Sequence, residues 1–80
     1  MNISRAHNIM KRVAQEHGLT VEELISHKRH KRFRGARQDA AYEIRHRLEY
    51  SYPKIGRIMG GRDSTTIIYY VRQRELRVAS

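Results

Sequence analysis

Apolar side chains recur along the chain at the spacing of one helix face, broken repeatedly by residues that favour caps and turns. Ile3, Ile9, Met10, Val13 and Ala14 predict a first helix, which His17-Gly18 ends. Thr20-Val21-Glu22-Glu23 reads as a capping box, with Thr20 as N-cap and Glu23 three residues on. It opens a short helix whose apolar face is Val21, Leu24 and Ile25. A basic stretch from His27 to Arg37 follows. The next helix is predicted from about Ala36 to Tyr50, because Ala40, Ala41, Ile44 and Leu48 share a face at roughly 100° per residue. Ser51 is the expected N-cap of a further helix, with Pro53 near the first turn, where its missing N–H costs least. That helix carries Ile55, Ile58 and Met59 and stops at Gly60-Gly61. Asp63 is placed to cap the last helix, whose inner face is Ile67, Val71 and Val78. Ile67-Ile68-Tyr69-Tyr70-Val71 has the composition of a strand, but the Asp cap before it and the helical charges after it favour helix. The expected fold is all-α: one domain, residues 1–80, a compact bundle of about five helices around one small core.

Charge changes the picture next. Lys and Arg number 17 against 8 Asp and Glu. Residues 1–26 carry Arg5, Lys11 and Arg12 against Glu16, Glu22 and Glu23, which cancel, so the whole net charge of +9 lies in residues 27–80. The stretch 27–37 holds Lys28, Arg29, Lys31, Arg32, Arg34 and Arg37 and no acid, and its part 27–35 is read as a basic loop. Charge segregated in this way points to a polyanionic partner, nucleic acid or an anionic surface, rather than to scattered solubilising charge.

The C-terminal half has the outline of a helix-turn-helix, about residues 53–77. Its first helix is Pro53–Met59, its turn Gly60-Gly61-Arg62, and its second helix begins near Ser64. On a helical wheel Val71 and Val78 lie within about 40° of Ile67, while Thr65, Tyr69 and Arg72 lie about 140–200° away. One side therefore packs, and the other presents hydroxyls and a guanidinium suited to base edges and phosphates. Gln38 and Arg45, seven residues apart, fall on one stripe beside the apolar face of the preceding long helix, where both could follow a groove edge.

The string Ile55-Gly56-Arg57-Ile58-Met59-Gly60-Gly61-Arg62-Asp63-Ser64-Thr65-Thr66-Ile67 resembles the signature of the DnaA family of bacterial replication initiators, typically I-G-x-x-F-G-G-R-D-H-T-T-V. Upstream pieces fit in order. Lys28-Arg29-His30-Lys31-Arg32 is similar to the family's basic loop. Arg37-Gln38, Ala40 and Tyr42 resemble its R-Q-x-A-x-Y helix start, and Val21–Ser26 resembles the short helix before the loop. The likeness covers about residues 3–73. It implies the family's C-terminal DNA-binding domain, with a Trp-repressor-like helix-turn-helix, as a free-standing small relative or an excised domain. By the same resemblance Arg29 enters a minor groove, Arg37 and Gln38 contact DNA at a helix start, and Arg45 meets the backbone. Asp63, Thr65 and Thr66 read the major groove, with Arg62, Ser64, Tyr69 and Arg72 completing the expected contact set. The implied partner is double-stranded DNA with an asymmetric, A/T-rich site resembling TTATCCACA. The implied role lies in control of replication initiation or of transcription. Three departures stand out: Ser64 for the usual His, Asp39 and Glu43 for apolar residues, and Gly35-Ala36 for Arg-Pro.

Other chemistry finds little support. No G-x-x-x-x-G-K-[ST] loop occurs, so no ATP site or other cofactor is expected. His27 and His30 lie in a basic setting that repels a cation, and no third ligand stands at a sensible spacing. Glu22 and Glu23 diverge on a helix, and Ser4, Ser26 and Ser51 lack a base–acid set, so no enzyme is expected. No cysteine and no apolar run near the roughly 20 residues of a membrane span are present, and Met-Asn-Ile-Ser-Arg lacks a signal's apolar core. A cytoplasmic, nucleoid-associated protein is the expectation. No dimerisation heptad is visible, which favours a monomer on DNA. The rival reading is a polybasic module for acidic phospholipid or an acidic protein. The small, Ala-rich face of the helix after the basic stretch argues against it.

Overall fold

The computed structural model describes the backbone of residues 2–79 and the side chains of residues 5–77. Five α-helices follow one another: α1 (Asn2–Glu16), α2 (Val21–Ile25), α3 (Lys31–Glu43), α4 (Tyr52–Ile58) and α5 (Ser64–Ala79). A π-helical turn, Ile44–Leu48, prolongs α3. No strand occurs among the described residues. Helix α3 runs through the middle, packed against α1, α2 and α5, and α4 closes on α5. The core holds much of the set the periodicity marks: Val13, Leu24, Ile44, Ile55, Met59 and Ile67 are all but sealed from solvent, with Ala40, Ala41 and Val71 beside them, and it adds Ala6, Leu19, Phe33 and Ala36, which the periodicity did not mark. Each such aliphatic side chain contributes about 1.5–3 kcal/mol through burial. Ile3 and Val78, expected on inner faces, lie outside the described side chains.

The caps explain the short elements. Thr20 accepts from the Glu23 amide at 3.1 Å, and the Thr20 amide donates to Glu23 Oε1 at 2.9 Å, the reciprocal box that lets a five-residue helix stand. Ser51 Oγ accepts from the Lys54 amide at 3.4 Å, and Pro53 falls in the first turn of α4.

Two boundaries differ from expectation, both on α3. The helix starts at Lys31, not near Ala36, so the basic loop of 27–35 shortens to about 26–30. The cause is His30, extended at φ −152°, whose Nδ1 accepts from the Arg32 amide at 3.2 Å and caps the helix. Phe33 then anchors the first turn in the core. At the other end regular α-helix stops at Glu43. The π turn follows and closes at Glu49, a non-glycine residue in the left-handed region at φ 56°.

Candidate nucleic-acid interface

Close approach shapes the turn between α4 and α5. Gly60 and Gly61 both have positive φ, 83° and 76°. A Cβ on Gly60 would stand 2.2 Å from the Ile25 carbonyl oxygen, and one on Gly56 would stand 2.0 Å from that of Arg62. Only glycine fits either place. The Arg62 amide donates to the Gly56 carbonyl at 2.8 Å, and the chain then enters α5. The Asp63 carbonyl accepts from the amides of Thr66 and Ile67 at 3.1 and 3.3 Å, and Asp63 Oδ1 accepts from the Thr65 amide at 3.4 Å. Ile67 and Val71 point into the core; Thr65, Tyr69 and Arg72 point out, with Tyr69 51% exposed. Ser64 and Thr66 are half-buried and Asp63 is exposed.

The loop between α2 and α3 is shaped by the opposite means. Its carbonyls are drawn inward onto arginine donors. Arg37 Nε donates to Leu24 O at 2.8 Å, Nη1 to Lys28 O at 2.8 Å, and Nη2 to Ser26 O and Glu23 O at 2.6 and 3.3 Å. Arg37 is only 5% exposed. Burial, and after it the charge of Arg62, pull its pKa below the ordinary arginine value. Arg62 Nη2 donates to the same Ser26 O at 2.5 Å, and its Nη1 to Ile25 O and Met59 O at 3.1 and 2.5 Å. With its backbone held from below, the loop turns Lys28, Arg29 and His30 to solvent. An open cleft of about 380 Å³ lies between loop and turn, bordered by His27, Arg29, Arg62, Asp63, Thr66 and Tyr70.

The expected contact residues divide accordingly. Arg29, Asp63, Thr65, Tyr69 and Arg72 are exposed, and of the expected residues Arg29, Asp63 and Thr66 border the cleft, with Ser64 half-buried at the start of α5. Arg37, Gln38 and Arg62 do not present themselves as expected. Arg37 and Gln38 are buried, and the Arg62 guanidinium faces carbonyls of the protein itself. The shared stripe of Gln38 and Arg45 does not survive either. Gln38 is covered, whereas Arg45 sits in the π turn, half-buried. Arg45 donates to Tyr50 O at 2.8 Å and lies over the Tyr52 ring at 4.3 Å. Tyr50 in turn lies under Lys54, so Tyr50 and Tyr52 flank the break between α3 and α4. Sequence reasoning missed His27, whose Nε2 lies 3.1 Å from the Gly60 carbonyl, and the exposed first turn of α3 bearing Lys31, Arg32 and Arg34.

The acidic departures Asp39 and Glu43 lie on another face and are matched by cations. Asp39 accepts from Arg77 at 2.7 Å and forms ion pairs with Arg74 and His17, each at 2.8 Å. Burial pushes its carboxyl up, but the bonds from His17 and Arg77 and the charges of Arg77 and Arg74 outweigh it, and the pKa falls below the ordinary value. Glu43 pairs with Arg12 and Arg47. No group of three or more His, Cys, Asp or Glu among the described residues could hold a metal ion, and no described helix is long and apolar enough to cross a membrane.

A five-helix all-α module with a helix-turn-helix and a basic loop beside it is a defined class of protein. Within it, the family described as the bacterial dnaA protein helix-turn-helix matches residues 6–73. The chain belongs to that family. It is 43% identical over 68 residues to the chromosomal replication initiator protein DnaA of Pelobacter propionicus, covering 85% of this chain and 15% of that protein. It is 42% identical over 72 residues to the same protein of Geotalea uraniireducens, covering 90% and 16%. To that of Synechocystis it is 44% identical over 57 residues, covering 71% and 13%. The chain thus spans about one seventh of the length of these relatives. No solved structure matches it.

Proposed function

We propose that the chain binds double-stranded DNA sequence-specifically, as a monomer, at an asymmetric A/T-rich site of the kind the DnaA family reads. It would act in the control of replication initiation or of transcription as a binding module, without nucleotide chemistry of its own. One observation carries this reading: an exposed arginine-bearing loop and the start of α5, with Asp63 exposed and Thr66 half-buried, border one open cleft. That is the arrangement needed to hold a duplex by a minor groove on one side and the adjoining major groove on the other.

In this reading Arg29 enters the minor groove, and Ser64, Thr65 and Thr66 meet base edges with Asp63 beside them. Tyr69, Arg72 and Arg45 lie along the backbone. Arg37, Gln38 and Arg62 serve from inside by shaping the loop and turn. Phosphate neutralisation supplies most of the affinity, and base edges with groove width supply the discrimination.

Competition binding tests it. A duplex carrying an A/T-rich family-type box should displace the protein from random duplex. The logarithm of the binding constant should fall with the logarithm of salt at a slope of about −5 for roughly six phosphate contacts. Equal competition by all duplexes removes sequence reading. A flat salt response on DNA, with tight binding to anionic vesicles, transfers the function to an acidic surface.

A further inference from the structure

The loop and the turn meet through few atoms. Gly60 packs its Cα side against the Ile25 carbonyl, and His27 Nε2 lies 3.1 Å from the Gly60 carbonyl, at which its N–H is aimed. The carbonyls that Arg37 binds all lie in residues 23–28, and beyond them it reaches Tyr70 on α5 but no residue of the turn. Arg62 is different. It is itself a turn residue, and its single planar guanidinium spans Met59 O in the turn and Ile25 O and Ser26 O in the loop. Arg29 follows Ser26 by three residues and is exposed, and no partner holds its side chain among the described residues. Where Arg29 stands relative to α5 therefore depends on where the Ser26 backbone is held.

We propose that Arg62 is a positioning residue for Arg29: it clamps the loop backbone to the turn that sets α5, fixing the offset between the two DNA-reading elements. This rests on the DNA-binding reading above. A guanidinium suits the task because its donors have a rigid planar layout, which a flexible ammonium lacks. Pre-organising the loop spares the complex the ordering of its backbone on binding. The guanidinium's donors are taken up by the protein's own carbonyls, and its contribution to binding passes through Arg29.

The test measures the preference for A/T-flanked over G/C-flanked duplex in the native chain, Arg29→Ala, Arg62→Lys and the double variant. Arg62→Lys keeps the charge and loses the fork. The expected result is that Arg62→Lys cuts the A/T preference by about as much as Arg29→Ala does, on the order of tenfold for one good contact. Added to Arg29→Ala it should cost less than about twofold more, the mark of two residues acting through one contact. Unchanged preference in Arg62→Lys, or losses that multiply in the double variant, overturn the proposal. A measurement on the native protein stands apart from folding of the variants. Backbone relaxation of the Lys28 and Arg29 amides should give order parameters near about 0.85, like those of α5, and values below about 0.6 overturn the clamp. If the native chain shows no A/T preference, or Arg29→Ala leaves it unchanged, the DNA reading fails instead. The relaxation data then still decide whether the loop is held.

Discussion

The loop before α3 and the turn before α5 face the same cleft, yet they are built from opposite materials. The loop keeps its shape because side chains fill it: the donors of Arg37 and Arg62 take up the carbonyls of residues 23–26 and of Lys28. The turn keeps its shape because side chains are missing: Gly56 and Gly60 let backbone approach backbone where any Cβ would collide. The lesson concerns arginine. Its abundance points to a polyanionic partner, but several arginines here are tied to other groups of the chain. Arg37 and Arg62 are committed to carbonyls, and Arg12, Arg47, Arg74 and Arg77 pair with Glu43 or Asp39. The basic residues left facing solvent around the cleft are fewer and more localised than the composition suggests.

The sharpest way to break the contrast is Gly60→Ala. The added methyl meets the Ile25 oxygen at 2.2 Å and the backbone sits at φ 83°. Overpacking of about 2 kcal/mol and left-handed strain of about 1 kcal/mol should lower stability by about 3 kcal/mol in denaturant titrations. Specific DNA binding should fall with it. Next is Arg37→Ala, which leaves carbonyls of the loop without their donor in a buried site. A loss of about 2–3 kcal/mol is expected by the same measurement, since a buried group left unmatched costs its desolvation. Gly61→Ala sharpens the comparison, because its φ of 76° matches that of Gly60 but nothing lies within 4 Å of the new methyl. It should cost only about 1–2 kcal/mol. A loss equal to that of Gly60→Ala would mean that conformation, not close approach, shapes this turn.

The smallest effect is expected away from both elements. Asp39→Asn should cost about 1 kcal/mol at neutral pH and leave DNA affinity untouched. Because the folded-state pKa of Asp39 is depressed, its contribution is present above the unfolded value, near about 4, and is lost as pH falls through the folded one. Melting curves of the two proteins should therefore converge at acid pH. A gap that persists there would place the effect in shape rather than charge.

Regular helix made much of this legible. Along α5 the inward Ile67 and Val71 and the outward Thr65, Tyr69 and Arg72 follow from periodicity alone, as does the capping box at Thr20. The start of α3 was hidden because six cations suggested loop. Phe33, Ala36, Arg37 and Ala40 nevertheless keep helical spacing and share a buried face. Arg37 itself lies on that stripe, a signal that it is internal. Arg62 carries no such signal, since its partner Ser26 lies 36 residues away and only the tertiary fold joins them. The π turn was equally silent: Ile44 and Leu48 suit either helix, and the wider turn changed the orientation expected of Arg45.

The carbonyl of Ser26 accepts from two guanidinium groups at once. Two like charges held over one oxygen add to the self-repulsion of a chain of net charge +9, and mobile anions relieve the exposed part of that repulsion. Moderate salt should therefore raise the melting temperature of the unbound chain, while the same salt weakens its grip on a duplex by counterion release. The two curves would slope in opposite directions, so ionic strength that suits the free molecule is not the strength at which it holds DNA best.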